Sequence, residues 1–176
     1  MLFEFQKQCT VEHVNVRRGT NEESKVAVDV KLSVEDLSAK CAGAVLRANS
    51  EEEVLDAFFA NDEDQNMRFL GLTSIPIDEF WEGQHQIKIS NGGKLRVAKL
   101  HKVILAPRAK GLFSCSFTVT IEDPPENFLE QIAKKLHTSC AVKLEQEAEL
   151  DLKKPQDEGK KPGAVKKSEP VQRTLQ

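Results

Sequence analysis

The sequence predicts an α+β domain: a largely antiparallel sheet made of a hairpin, a meander and a C-terminal strand, with helices packed on its dry face. A partly open barrel is the alternative. Three observations predict this. Apolar and polar residues alternate with period two through several long stretches, the mark of a sheet with one dry and one wet face. Turn residues separate these stretches. The helical patterns are short and fall in two groups, after the opening hairpin and after the meander.

Residues 2–17 read as the first strand. Phe3, Phe5, Cys9 and Val11 share one parity, while Val14 and Val16 take the other, so a bulge is expected near His13. A polar turn over 18–24 leads to Val26, Val28, Val30 and Leu32, the second strand of a hairpin. Ser33 then reads as a helix N-cap with Asp36 three residues on, and Leu37, Cys41, Val45 and Ala48 fit one helical face. Ser50 and Glu53 form a stronger capping box before Val54, Leu55, Phe58 and Phe59. The spacing predicts two short helices with a break at Asn49 and Ser50. An acidic polar loop follows over 61–66. Residues 67–81 are irregular but apolar, and Pro76 forbids a central strand there. A core-covering connection with one short strand is expected, with Trp81 as a core anchor.

The stretch 83–121 contains no Asp or Glu and seven cations: Lys88, Lys94, Arg96, Lys99, Lys102, Arg108 and Lys110. Three strands are legible in it. Ile87 and Ile89 alternate with Gln86, Lys88 and Ser90. Asn91, Gly92 and Gly93 then promise the positive φ angles of a tight turn. Leu95, Val97, Val103 and Leu105 share the next dry face, interrupted by Lys99 and His101, which implies a bulge or a sheet edge. After the turn at 107–111, Phe113, Cys115, Phe117, Val119 and Ile121 alternate with Ser and Thr. Asp123, Pro124 and Pro125 end that strand. Phe128, Leu129, Ile132, Ala133 and Leu136 define an amphipathic helix with Lys134, Lys135 and His137 near its end. In the final strand Val142, Leu144, Ala148, Leu150 and Leu152 face one way, and Lys143, Glu145, Glu147, Glu149 and Asp151 face the other.

Residues 1–152 therefore read as one domain. Residues 153–176, rich in Lys and Pro with no periodic apolar residues, read as a disordered tail. The tail holds seven Lys/Arg against three Asp/Glu, so the domain is more acidic than the chain's net charge of −3. The tail fits a solubilising extension that can add weak nucleic-acid affinity. Hydrophobic residues make up 39% of the chain, enough for a core, and no run approaches the ~18 apolar residues of a membrane helix. The start, with Glu4 and Lys7 close behind Phe3, is unlike a secretory signal. Cys9, Cys41, Cys115 and Cys140 are scattered through apolar patterns, as buried thiols of a reducing, cytoplasmic setting would be.

The chemistry these residues offer is limited. Cys9 with His13 and His137 with Cys140 have the look of metal-ligand pairs. Four residues of strand span roughly 13 Å, too far for one zinc ion with bonds of ~2.0–2.3 Å. No metal and no cofactor is expected. Cys115 lies mid-strand on the apolar face, where a thiol is packed and inert. No nucleophile elbow and no phosphate-cradling loop occurs. An enzyme is not expected. The basic stretch has two readings. It can track a phosphate backbone or meet an acidic protein surface. Alternatively, the carboxylates at Glu145, Glu147, Glu149 and Asp151 pair with Lys94, Arg96 and Lys102 on neighbouring strands, the commoner fate of such faces. The wet face carries no aromatic platform, which disfavours binding by base stacking.

Three local patterns carry a resemblance. Val14-Asn15-Val16-Arg17 leads through a turn into Val26-Ala27-Val28-Asp29-Val30-Lys31. Met67-Arg68-Phe69 precedes Trp81-Glu82. Ala106-Pro107-Arg108-Ala109-Lys110-Gly111-Leu112-Phe113 runs on to Ile121 and Pro124-Pro125-Glu126. Over 14–152 the chain resembles small accessory proteins encoded by tailed bacteriophages and prophages. The resemblance implies a cytoplasmic accessory protein of infected cells and brings no catalytic residues. The expectation is then a non-enzymatic module in which Lys88, Lys94, Arg96 and Lys102 contact nucleic-acid phosphates and Lys99, Arg108 and Lys110 flank them. The rival expectation is a module that inhibits or bridges a host or phage protein.

Overall fold

The computed structural model describes residues 3–18, 26–61, 63–69, 72–77 and 81–146, the side chains at 82–84 excepted. The elements are β1 (Phe5–Arg18), β2 (Val26–Ser38), α1 (Ala39–Leu46), α2 (Glu51–Phe58), β3 (Ile75–Ile77), β4 (Trp81–Ile89), β5 (Lys94–Arg108), β6 (Leu112–Glu122), α3 (Phe128–Ala133) and β7 (Ser139–Gln146). The fold is α+β and every strand pairing within the sheet is antiparallel. The strand order is β3-β5-β4-β7-β1-β2-β6, and a further pairing of β5 with β6 joins the six long strands into a ring. The dry face is therefore the inside of the ring, and the wet face points outward all round it.

Alternation decides what lies inside. Val28, Val30, Leu32 and Val34 of β2 and Phe113, Cys115, Phe117, Val119 and Ile121 of β6 are buried in mutual register. Phe3 and Phe5 meet Phe117 edge-on at 5.9 and 5.8 Å, and Phe3 stacks on Trp81 at 6.4 Å. Trp81 is only partly buried and packs against the edge of this core. Each fully buried apolar side chain among these contributes about 1.5–3 kcal/mol by leaving water. Helices α1 and α2 pack together, with α1 against β2 and β6. There Phe58 and Phe59 both meet Phe113, at 5.6 and 5.5 Å. The short α3 lies beside β1 and the β4–β5 turn.

Several expectations need correction. Ser33 caps no helix: β2 continues through it to Ser38, because Val34 and Leu37 both bury inward, opposite Cys115 and Phe113. The parity slip between them is absorbed at Asp36, where φ is 57°. The N-cap of α1 is Ser38, whose hydroxyl accepts from the Cys41 amide at 3.4 Å. The Ser50 cap on α2 is as the spacing predicts, accepting from the Glu53 amide at 3.2 Å. Helix α3 stops at Ala133, short of Leu136, which instead makes a single parallel bridge to Val11. The bulge expected near His13 is present, between Val11 and His13. Pro76 sits in β3, an edge strand paired only with β5.

Strand β5 explains its own irregular sequence. Val97, Leu100, Val103 and Leu105 are all buried. Two slips lie among them: one opposite Glu82 to His85 of β4, one between His101 and Ile104, where Lys102 has φ 53°. Two odd steps restore the parity, so both ends of the strand stay in phase and Leu100 is brought inside. Residues 147–176, including Glu147, Glu149, Asp151 and the tail, lie outside the described residues, as does most of the first hairpin turn.

Candidate nucleic-acid interface

The β4–β5 turn positions the cationic residues. Its sequence suggests that glycine supplies the left-handed backbone, but the residue with positive φ is Ser90, at 53°. Gly92 matters for space instead: a Cβ there would lie 3.0 Å from the Ile89 carbonyl, which also accepts from the Gly92 amide. The Ser90 amide donates to the Ala141 carbonyl at 2.6 Å, fastening the turn to β7. Strands β7, β4 and β5 are thereby held side by side with two outward rows in register. One row is Lys143, Lys88, Lys94; the next is Glu145, Gln86, Arg96.

The first row sets three ammonium groups abreast over two strand spacings, about 10 Å. Lys88 and Lys94 are exposed and Lys143 half-buried. Like charges directly opposite on neighbouring strands destabilise a sheet. Among the described residues one carboxylate, that of Glu145, offsets them. Glu145 lies 2.8 Å from Lys94 Nζ and also contacts Lys143. Hydrogen bonds from Lys143 and then Lys94, with their charges, hold the Glu145 carboxyl down at about 2. The structural reading of the basic face is thus correct for Lys94. Lys88, between the two paired lysines, has no ion pair among the described residues.

The other predicted residues do not converge here. Lys94 and Arg108 bound a strand of 15 residues, roughly 45 Å end to end. Lys99, half-buried, and exposed Lys102 flank His101 in the middle of it. Arg108 donates from Nε to the Ser114 hydroxyl at 3.1 Å, and Lys110 lies in the next turn beside Gly111, whose φ is 68°. Lys88, Lys94 and Arg96 form one cluster, and the rest trace β5 away from it. Sequence reasoning missed Lys143, Lys134 and Lys135 as members of the site. Alternation put Lys143 on the wet face, but nothing local says that β7 lies against β4. Lys134 and Lys135 line a groove of about 740 Å³ between the β4–β5 turn and α3, together with Lys94, Asn91 and Gln131. Lys134 is also 2.6 Å from Glu130.

A separate polar chain crosses the outside of β1, β2, β6 and β5. Arg17 Nε donates to Asp29 Oδ2 at 2.8 Å, the Thr120 hydroxyl donates to Asp29 Oδ1 at 2.7 Å, and His101 Nε2 lies 3.2 Å from that hydroxyl. Because the hydroxyl proton is given to Asp29, His101 donates from Nε2. Burial raises the Asp29 carboxyl, but hydrogen bonds from Arg17 and Thr120 outweigh it and leave it below its usual value. Burial lowers His101, against the pull of Asp29. Beside this chain, Glu12 pairs with Lys31 at 2.6 Å, and that hydrogen bond holds Glu12 low.

Burial pushes the Cys9 and Cys115 thiols to about 12. Cys9 is buried and His13 exposed, and among the described residues no group of three or more His, Cys, Asp or Glu converges on a metal position. Among the described residues no helix is long and apolar enough to cross a membrane. In comparisons with known proteins, no family model, no curated protein and no solved structure matches this chain.

Proposed function

We propose that the protein is a non-enzymatic binding module that holds nucleic acid by its phosphates on the outer face of β7, β4 and β5. The observation that carries this reading is the Lys143–Lys88–Lys94 row, against which Glu145 is the single carboxylate among the described residues. A phosphate backbone would bring negative charge to that row of ammonium groups. Arg96 extends the row along β5, and Lys134 and Lys135 extend it past the turn. The accessory role in an infected cell that the phage-protein resemblance implies belongs to the same proposal. Among the described residues the face has no aromatic platform, and Trp81 packs on Phe3. Binding is therefore electrostatic and tolerant of sequence, with log affinity falling by about 0.9 per phosphate contact for each decade of salt on a duplex. Fluorescence anisotropy with labelled single- and double-stranded DNA at two salt concentrations tests it. Saturable binding at low salt that weakens steeply at high salt is expected. No binding at low salt overturns the reading.

A second reading is a protein–protein module. Phe69, 58% exposed, favours it. A partner docking there would bind with little dependence on salt, and charge reversal at Lys88 would leave it unaffected.

A further inference from the structure

One row across the interior of the ring joins Cys115 of β6 to Val34 of β2, Val34 to Cys9 of β1, and Cys9 to Cys140 of β7, each directly opposite the next. All four are buried, none more than 4% exposed. Opposed residues of an antiparallel pair share a face, with Cα atoms about 4.5–5.5 Å apart. A disulfide needs Cα atoms roughly 4.4–6.8 Å apart. Cys9 and Cys140 meet that condition. Cys9 and Cys115 are two strand spacings apart, about 9.5 Å, and do not. Cys41 is on α1, where its thiol donates to the Glu4 carbonyl at 3.2 Å.

We propose that Cys9 and Cys140 are a redox-active pair that closes to a cross-strand disulfide, clasping the first long strand of the ring to the last. This goes beyond the nucleic-acid reading and does not depend on it. The oxidant is a small-molecule disulfide such as oxidised glutathione. The Cys140 thiol gives up its proton, and its sulfur attacks one glutathione sulfur. The other glutathione leaves as a thiolate and takes up a proton. The Cys9 sulfur, deprotonated in turn, attacks the Cys140 sulfur of the mixed disulfide and releases the second glutathione. Two protein thiols are oxidised, and one glutathione disulfide is reduced to two thiols.

The route to the pair lies at the end of the ladder. Cys9–Cys140 is the second-last register of β1 with β7, and Thr10–Ser139 is the last. Beyond it the chain turns through His137, whose φ is 57°, and is held by the lone Val11–Leu136 bridge. Opening these few pairs is the exposure step that the exchange requires. Burial, with the neighbouring Cys140 adding to it, keeps the Cys9 thiol protonated in the closed ring. Exchange therefore runs through the opened form and is slow.

The test equilibrates the full chain in glutathione buffers of graded ratio, alkylates the remaining thiols, digests without reduction and maps the peptides by mass spectrometry. Expected is a species joining the Cys9 and Cys140 peptides, with Cys41 and Cys115 alkylated. Cys115→Ala keeps the link and Cys140→Ala removes it. The oxidised protein melts roughly 5–15 °C higher than the reduced one. A Cys9–Cys115 link, a persistent glutathione adduct on Cys140, or no Cys9–Cys140 link after oxidation a few degrees below the melting point would each overturn the proposal. The wild-type peptide map reads the link directly, so the test holds even where a variant fails to fold.

Discussion

Lys88 stands directly opposite Lys143 on one side and directly opposite Lys94 on the other. A sheet optimised for stability alone would place an acid at the central position. Lys88→Glu therefore separates stability from binding. The new carboxylate faces two lysines, and opposite charges across strands contribute about 0.2–1 kcal/mol per pair. The melting temperature is expected to hold or rise. Nucleic-acid affinity at low salt is expected to fall at least about tenfold, with the salt slope reduced by about one. Thermal denaturation and anisotropy on the same preparation read both. A variant that binds as well as wild type places the interface elsewhere.

Glu145 acts in the opposite sense. It engages Lys94 and Lys143, and because they hold its carboxyl at about 2 it stays ionised through the whole working pH range. Glu145→Gln releases both ammonium groups to the ligand. Tighter binding and a salt slope steeper by about one to two are expected. Its pH dependence has a definite sign. A carboxyl lowered by folding adds stability above its unfolded value of 4.5, and that stability is lost as pH falls from there toward 2. Acid titration followed by circular dichroism should show this loss in wild type and less of it in the variant.

Much of this arrangement is legible in the sequence. Period-two alternation marks β1, the first half of β2, β4, β5 and β6, and Ser50 with Glu53 marks the start of α2. What stays hidden is adjacency. Lys143 and Lys88 are far apart in the chain, and no local signal says their strands are neighbours. The helix expected at Ser33 fails for a related reason. Val34 and Leu37 are three apart, which suits a helical face as well as a strand with one bulge. Only the partner residues Cys115 and Phe113 on β6 decide between them. The long cationic run gives the sign of the surface but not its extent, because β5 carries its charges along its length rather than into one patch.

Asp29 gathers hydrogen bonds from Arg17 and Thr120 while its side chain is only 17% exposed. Asp29→Ala strands a guanidinium and a buried hydroxyl outside β2. A loss of about 1–3 kcal/mol is expected, the cost of leaving such groups unsatisfied. Thr120→Val, which removes the hydroxyl but keeps the shape, should cost less. Urea denaturation at neutral pH measures both. A change below about 0.5 kcal/mol for Asp29→Ala, under the usual net worth of even one hydrogen bond, would mean that water replaces the network without loss.

His85 and His101, the two histidines lowered by burial, set the response to mild acid. His85 is 2% exposed inside the ring, and neither ring nitrogen has a hydrogen-bond partner among the described residues. Burial lowers it, and the charge of Glu4 and the nearby Phe3 backbone, too poorly placed for a full hydrogen bond, only partly oppose that. Burial also lowers His101, with Lys102, Lys99 and Arg17 adding to the effect and Asp29 opposing it. A histidine lowered by folding binds fewer protons in the native state than in the unfolded one. Stability is therefore complete above the unfolded value of 6.5 and declines as pH falls through that value toward the lower folded one. The melting temperature of wild type should drop between pH 7 and pH 5. His85→Leu removes the larger burial penalty, so it should flatten that drop and leave the pH 7 melting temperature equal or higher. His101→Gln keeps a donor near Thr120 and should flatten the drop less. A wild-type melting temperature that is level from pH 7 to pH 5 would show that neither imidazole resists protonation in the fold.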